Sequence, residues 1–332
     1  MQNKVIEVNG LSKYFKSLKA VDNIFFSVYE GEIFGFLGPN GAGKTTTIKM
    51  LTTLIPPTSG DAKILGYSVK SDQNRVRSLI GVVPQEYTAD EDLTGYDNML
   101  LIADLYGIPR SVSKKRINDL LSMVELSSAA KRKVSTYSGG MRRRLEIAIG
   151  LINYPKILFL DEPTLGLDVQ TRAAVWGYIR MLKRKYKMTL FLTTHYLEEA
   201  DSLCDRIAII DHGKIIRIGT PSELKDSIGG DIIKFKIKNN DKKVVKLLKS
   251  IKEISTVNIS NGMYVVKAKR SEEVAPKLIS LLYKNKYIVE TLNLSKPSLD
   301  EVYLNYTGKS LRDESGGEDV SALRRTINLS RS

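Results

Sequence analysis

Gly38-Pro39-Asn40-Gly41-Ala42-Gly43-Lys44-Thr45-Thr46 follows the pattern Gly, four residues, Gly-Lys and Ser/Thr of a phosphate-binding loop. Glycines let the backbone turn tightly and approach a ligand closely, because no Cβ blocks the left-handed conformations. Successive amide groups in such a turn make a concave nest for anions. A helix following the loop aims the positive end of its dipole at the same place. Lys44 adds a mobile cation for terminal phosphates, and the Thr45 hydroxyl is placed to ligate Mg²⁺. The flanks agree. Residues 32–37 read as a buried strand, and residues 46–54 read as a helix stopped near Pro56-Pro57.

Working outward, the 332 residues suggest about two domains. No run approaches the length of an apolar membrane span. The N-terminus lacks the basic region and apolar stretch of a secretory signal. The expected location is therefore the cytosol, unless a partner holds the chain at a membrane. A single cysteine, Cys204, excludes an internal disulfide framework and reads as a buried thiol. The net charge is +14. Residues 221–332 carry 21 Lys/Arg and 14 Asp/Glu, so the back third is about twice as basic per residue as the rest. These lysines are spread out rather than clustered, which favours a solvated surface or weak attraction to an anionic membrane over nucleic-acid binding.

Residues 4–9 and 21–30 read as short strands, and Tyr14 and Phe15 between them could be core or a stacking platform for a base. Residues 62–65 and 80–84 read as strands, with Gln85 directly after the second. Helical periodicity then dominates over 97–107, 113–125 and 140–152, which suggests a helical insertion at about 86–150 in an α/β core. Ser138-Gly139-Gly140 opens the last of these helices with a cap and two small residues, a second anion-binding terminus. Lys156 to Leu160 reads as a strand covered on both faces and ends in Asp161-Glu162. Adjacent acids there repel each other unless a metal or a base offsets them. The first acid suits Mg²⁺ and the second suits a base for an attacking water. Residues 189–194 form another such strand, ending at His195. The second histidine, His212, sits in an Asp211-His212-Gly213 turn where it is unremarkable.

The core finishes near Thr220-Pro221. Beyond it the order is strand 231–238, helix 241–250, strands 254–260 and 263–269 around Asn261-Gly262, helix 271–285, strand 287–295 and helix 297–306. This βαββαβ order suggests a small ferredoxin-like unit. Residues 309–332 are Ser-, Arg- and Gly-rich and read as a disordered tail.

Taken together, Gly38–Thr46, Val83-Pro84-Gln85, Tyr137-Ser138-Gly139-Gly140-Met141-Arg142-Arg143-Arg144, Ile157–Thr164, Gly166-Leu167-Asp168 and Thr193-Thr194-His195 resemble the nucleotide-binding subunit of an ATP-binding cassette (ABC) transporter. The segment Pro297-Ser298-Leu299-Asp300-Glu301-Val302-Tyr303 is similar to the end of the extra domain in the daunorubicin-resistance, ABC-2 exporter type. The resemblance implies a P-loop ABC domain over 1–222 with a helical subdomain, and a small α+β accessory domain over 231–306. It implies an ATPase that powers an ABC-2 exporter of drug, lipid, polysaccharide or ion, with ATP and Mg²⁺ as cofactors. The implied partners are a separately encoded membrane subunit and a second copy of the chain, at the cytoplasmic face of the membrane, with no nucleic acid.

The implied roles are specific. Phe15, with Tyr14 as fallback, stacks on adenine. Gly38, Pro39, Asn40, Gly41, Ala42, Gly43, Lys44, Thr45 and Thr46 hold the phosphates and Mg²⁺. Gln85 reaches Mg²⁺ and the water, and its loop faces the membrane subunit. Ser138, Gly139 and Gly140 contact ATP on the other protomer, and Asp168 lies in the loop crossing that interface. Asp161 supports Mg²⁺, Glu162 is the general base, and His195 senses the γ-phosphate. The signature departs from the family pattern at Tyr137 and Met141, where Leu and Gln are usual. The alternative is a non-transport ABC ATPase acting on DNA or ribosomes. The absence of a coiled-coil or zinc insertion between Lys44 and Asp161 argues against it.

Overall fold

Runs of consecutive apolar residues, too short for helices and bounded by turn residues, build the sheet that carries the phosphate loop. The computed structural model describes residues 3–238, 241, 243–260, 262–295 and 297–308. The expected tail 309–332 and turn residue Asn261 lie outside these. The chain divides into two compact units between Ile218 and Gly219.

The first unit opens with β1 (Lys4–Phe15), β2 (Leu18–Tyr29), β3 (Ile33–Leu37), α1 (Lys44–Leu51), β4 (Ser59–Ile64), β5 (Tyr67–Ser68), α2 (Gln73–Leu79) and β6 (Ile80–Val83). It continues with α3 (Gly95–Leu105), α4 (Arg110–Met123), α5 (Gly139–Gly150), β7 (Ile157–Asp161) and α6 (Val169–Tyr186). It closes with β8 (Thr189–Thr194), α7 (Leu197–Leu203), β9 (Arg206–Asp211) and β10 (Lys214–Gly219).

Among the described residues, one sheet has the order β10-β9-β3-β8-β7-β6, in which β9, β3, β8, β7 and β6 run parallel to one another. The carboxyl ends of β3, β7 and β8 therefore lie side by side, the usual place for a ligand in such sheets. A second sheet, β2-β1-β4-β5, packs on this one. The register pairs Phe34 and Phe159 with Phe191. Phe26, Phe34, Phe36 and Phe159 surround the Phe191 ring at centroid distances of 5.4–6.0 Å.

Some boundaries differ from the sequence reading. β1 runs on through Phe15 instead of stopping near residue 9. Gly10, at φ 61°, absorbs a register shift that lets the strand continue. α1 starts at Lys44 and ends at Leu51, because Thr53 turns left-handed at φ 62° and breaks the ladder. The three insertion helices each start earlier than their apolar period suggests. Thr94 and Ser138 cap two of them by accepting from the Asp97 and Met141 amides. Cys204 is buried, and burial pushes its thiol well above the ordinary range. No helix among the described residues is long and apolar enough to cross a membrane.

The second unit contains α8 (Pro221–Ser227), β11 (Asp231–Ile237), α9 (Lys243–Leu248), β12 (Ile254–Ser260), β13 (Met263–Ala268), α10 (Ser271–Lys284), β14 (Val289–Ser295) and α11 (Leu299–Thr307). Its antiparallel sheet has the order β12-β13-β11-β14, that of a split βαβ unit, as the sequence order suggested. β11 alternates strictly: Ile233, Phe235 and Ile237 are buried, while Lys234 and Lys236 are exposed. Phe235 stacks on Tyr264 at 4.9 Å, under Val274, Leu278 and Leu282 of α10.

Removing the central ring of the first unit opens a cavity at the meeting point of four others. Phe191→Ala is expected to cost about 3–5 kcal/mol in chemical denaturation. Tyr283→Ser, at a ring 78% exposed, should change stability by less than about 0.5 kcal/mol in the same measurement.

Candidate functional site

The loop after β3 is held by two close approaches that only glycine permits. A Cβ on Gly38 would lie 2.3 Å from the Ile210 carbonyl oxygen. On Gly43, at φ 103°, it would lie 2.3 Å from that of Ala20. The loop is thus wedged between β9 and the start of β2, and α1 begins at Lys44 with its dipole facing the loop.

Lys44 is 4% exposed and turned inward. Its Nζ donates to the carbonyls of Gly38 (2.8 Å) and Pro39 (2.9 Å) and pairs with Glu162 Oε1 at 3.1 Å. The other carboxylate oxygen of Glu162 lies 3.0 Å from His195 Nδ1. Glu162 itself is left-handed at φ 48°, a costly conformation for a non-glycine residue. Its amide is held by the carbonyl (3.2 Å) and hydroxyl (3.0 Å) of Thr193. Asp161 Oδ1 accepts from Thr193 Oγ1 (2.6 Å) and Thr45 Oγ1 (3.2 Å). The ends of β3, β7 and β8 therefore share one connected cluster.

The electrostatics divide the two acids. Burial raises the Asp161 carboxyl above its ordinary range, against the hydrogen bonds from Thr193 and Thr45. Burial also acts to raise Glu162, but the His195 hydrogen bond and the Lys44 charge outweigh it and hold the carboxyl below its usual range. Lys44 is lowered by burial despite the carboxylates of Glu162 and Asp161. The pair thus favours the charged carboxylate more firmly than the charged amine. At 3.1 Å the two groups form an ion pair of ammonium and carboxylate.

A cleft of about 550 Å³ lies over this cluster. Of the residues singled out in the sequence, Phe15, Asn40, Gly41, Gly43, Lys44, Thr45, Thr46, Gln85 and Glu162 line it. Asp161 and His195 sit just behind, touching Thr45 and Glu162. Tyr14 is drawn aside, its hydroxyl donating to Asp22 at 3.0 Å, which leaves Phe15 as the aromatic in the cleft. Ser138 and Gly139 lie elsewhere, exposed at the start of α5. Gly140 is packed against Thr171. Asp168 caps α6 by accepting from the Thr171 amide (3.0 Å) and hydroxyl (2.6 Å). Sequence reasoning quoted Thr193 within the Thr193-Thr194-His195 motif but gave it no role of its own. It missed Lys19 and His212 at the cleft wall. His212 does sit in a left-handed turn (φ 44°), and its ring also borders the cleft.

Residues 21–165 match the ABC transporter family model, and residues 219–307 match that of the ATP-binding protein DrrA1-3-like C-terminal domain. The daunorubicin/doxorubicin resistance ATP-binding protein DrrA of Streptomyces peucetius is 38% identical, over 95% of this chain and 96% of its own length. This chain belongs to the ABC transporter family of ATP-binding proteins. The linearmycin resistance ATP-binding protein LnrL of Bacillus subtilis is 35% identical over 93% of this chain and 100% of its own. The Nod factor export ATP-binding protein I of Ralstonia nicotianae is 37% identical over 93% and 95%. Among solved structures, a dimeric post-hydrolysis ATP-binding cassette bound to ADP and Pi superposes with a TM-score of 0.59 at 27% identity, covering 65% of this chain and 98% of that one. The cassette is an ATPase.

The opposite shifts of the two acids give opposite signs with pH. Asp161, raised on folding, binds its proton more tightly in the folded state, so its contribution to stability falls as pH rises above about 4. Glu162, lowered on folding, contributes stability above about 4 that is lost as pH falls. In nucleotide-free protein, the melting-temperature difference between Asp161→Asn and wild type should therefore become more positive from about pH 4 to 7. For Glu162→Gln it should become more negative. A thermal-unfolding series in pH checks both slopes.

Proposed function

We propose that this cassette is the ATP-hydrolysing subunit of an ABC-2 type exporter, and that it closes head to tail with a second copy over two ATP molecules. Each site then pairs one copy's phosphate loop with the other's Ser138-Gly139-Gly140, and Asp168 crosses the interface. The observation that carries the reading is the Lys44–Glu162–His195 cluster at the ends of three adjacent strands. The exposure of Ser138, Gly139 and Asp168 on the single chain supports the pairing.

The residues at the cleft suit an in-line attack of water on the γ-phosphorus. The new P–O bond forms as the bond to the β-phosphate oxygen breaks, and the water proton passes to the Glu162 carboxylate. Lys44 is turned onto Glu162, and a phosphate anion in the loop competes for it. Its swing outward leaves the carboxylate free to orient water. His195, held 3.0 Å from Glu162, is placed to meet the same phosphate. Phe15, 46% exposed at the tip of the β1–β2 hairpin, offers a face to the base.

A divalent cation fits the remaining groups. Thr45 and Asp161 converge at 3.2 Å, and Gln85 lines the same cleft. Asp161 is buried, and its carboxylate and the Thr45 hydroxyl are hard oxygen donors of the kind such a cation takes. Mg²⁺ held by these groups and by substrate oxygens would neutralise charge on the phosphates.

A second groove of about 560 Å³ lies on the far side of the Gln85 loop. Leu54, Val82, Ile102, Tyr106 and Ile149 give it an apolar lining. Pro84 and Thr88 border it, while Gln85 borders the nucleotide cleft. One short loop therefore touches both, which supports docking of the membrane subunit there. That partner would hold the cassette at the cytoplasmic face of the membrane. The names of the relatives favour drug-like cargo.

Glu162→Gln should retain ATP binding, lower turnover at least about a hundredfold and accumulate as an ATP-bound dimer on size exclusion. Near-normal hydrolysis would remove Glu162 from the base role. Lys44→Ala should lose tight ATP binding, checked by calorimetry. Leu54→Glu, a charge in the groove, should leave ATP affinity unchanged and abolish co-purification with the co-expressed membrane subunit.

A further inference from the structure

Helix α5 grips the Gln85 loop at both ends. Arg143, 1% exposed, donates from Nη1 to the Pro84 carbonyl and from Nη2 to the Gln85 carbonyl, each at 2.8 Å. Glu146, also 1% exposed and on the same helix face, accepts from the Thr88 amide (2.6 Å), the Ala89 amide (2.9 Å) and the Thr88 hydroxyl (2.7 Å). Between these anchors the Tyr87 ring lies 5.0 Å from the Arg143 guanidinium, and its hydroxyl donates to the Gly139 carbonyl at 3.3 Å. Charged side chains buried this deeply are expensive unless engaged, and both spend their hydrogen bonds on one loop, with only Nε of Arg143 left without a partner. If the loop shifts without the helix, a buried guanidinium and a buried carboxylate lose their partners at once. Ser138-Gly139-Gly140 stands at the N-terminus of that same helix.

We propose that Arg143 and Glu146 are positioning residues that bind the Gln85 loop and the Ser138-Gly139-Gly140 terminus into one rigid piece, coupling a chain's own nucleotide site to the site it completes on its partner. The idea rests on the roles of Gln85 and Ser138 proposed above. Arg143 acts through the direction it imposes on two successive carbonyls. Lysine, with a single point of contact, cannot reproduce that fork. Displacement of Gln85 by nucleotide then re-aims the helix terminus that faces the second copy.

The test is a double-mutant cycle in ATP turnover with Gln85→Ala, Arg143→Lys and their combination in the full chain. Gln85→Ala should slow turnover. Arg143→Lys should slow it about tenfold, leave affinity for a fluorescent ATP analogue within about twofold, and convert a cooperative ATP dependence into a hyperbolic one. In the Gln85→Ala background it should cost nothing further. Multiplicative losses, or wild-type turnover in Arg143→Lys, would overturn the coupling while leaving the role of Gln85 intact. Wild-type turnover in Gln85→Ala would remove that role and the coupling with it. Should Arg143→Lys fail to fold, Glu146→Gln runs the same cycle. Hydrogen exchange on the unaltered protein gives an independent readout. ATP should protect the Thr88 and Ala89 amides and the first turn of α5 together, and protection of the loop alone refutes the proposal.

Discussion

The buried pair between Lys44 and Glu162 is the contact on which the cluster at the strand ends depends. Both groups lie out of water, where an unmatched charge costs several kcal/mol. Lys44 follows the loop after β3 and Glu162 follows β7, so the pair reaches across β8 between two strand ends that are not neighbours in the sheet. His195, from β8, closes the arrangement on the other side of the carboxylate. The strain of a left-handed Glu162 is sustained by Thr193, which binds both its amide and the neighbouring Asp161. One threonine thus binds both acids, while their proton affinities move in opposite directions because burial dominates at Asp161 and the His195 hydrogen bond and Lys44 charge outweigh it at Glu162.

This division has a chemical use. A carboxylate kept ionised by a lysine and a histidine can orient water, whereas one pushed towards neutrality by burial is eager for a cation. The same strand end supplies both, one residue apart. Nothing beyond the alternation of a strand running into a tight turn is needed to send the two side chains to separate partners.

Much of this was legible in the sequence, and the reason is spacing. The phosphate loop, the acids after β7 and the histidine after β8 each follow a short apolar run, so strand ends could be counted off the chain. The split βαβ order of the second unit was legible for the same reason: alternation in β11 and the helical period of α10 are strong local signals. What could not be read were contacts made across long separations by residues without a pattern. Thr193 looks like any strand threonine, and Tyr14 and Phe15 differ only in which one Asp22 captures. Arg143 and Glu146 sit in a helix that carries three successive arginines, a pattern that names no partner, yet the chain folds back across a separation of 58 residues to bury them against one loop. Boundaries slipped where a single left-handed residue, such as Thr53, ended an element that composition would have continued.

The fate of Cys204 has a practical side. The thiol is enclosed between α7 and β3, close enough to Gly35 that a Cβ there would lie 2.5 Å from its sulfur. Burial keeps it in the neutral, unreactive form. Thiol-directed dyes and spin labels would therefore pass over it, so the native chain is already a silent background for labelling. Cysteines introduced singly on the surface, one beside the loop after β3 and one near the start of α5, would each be the sole reactive thiol without first deleting anything native.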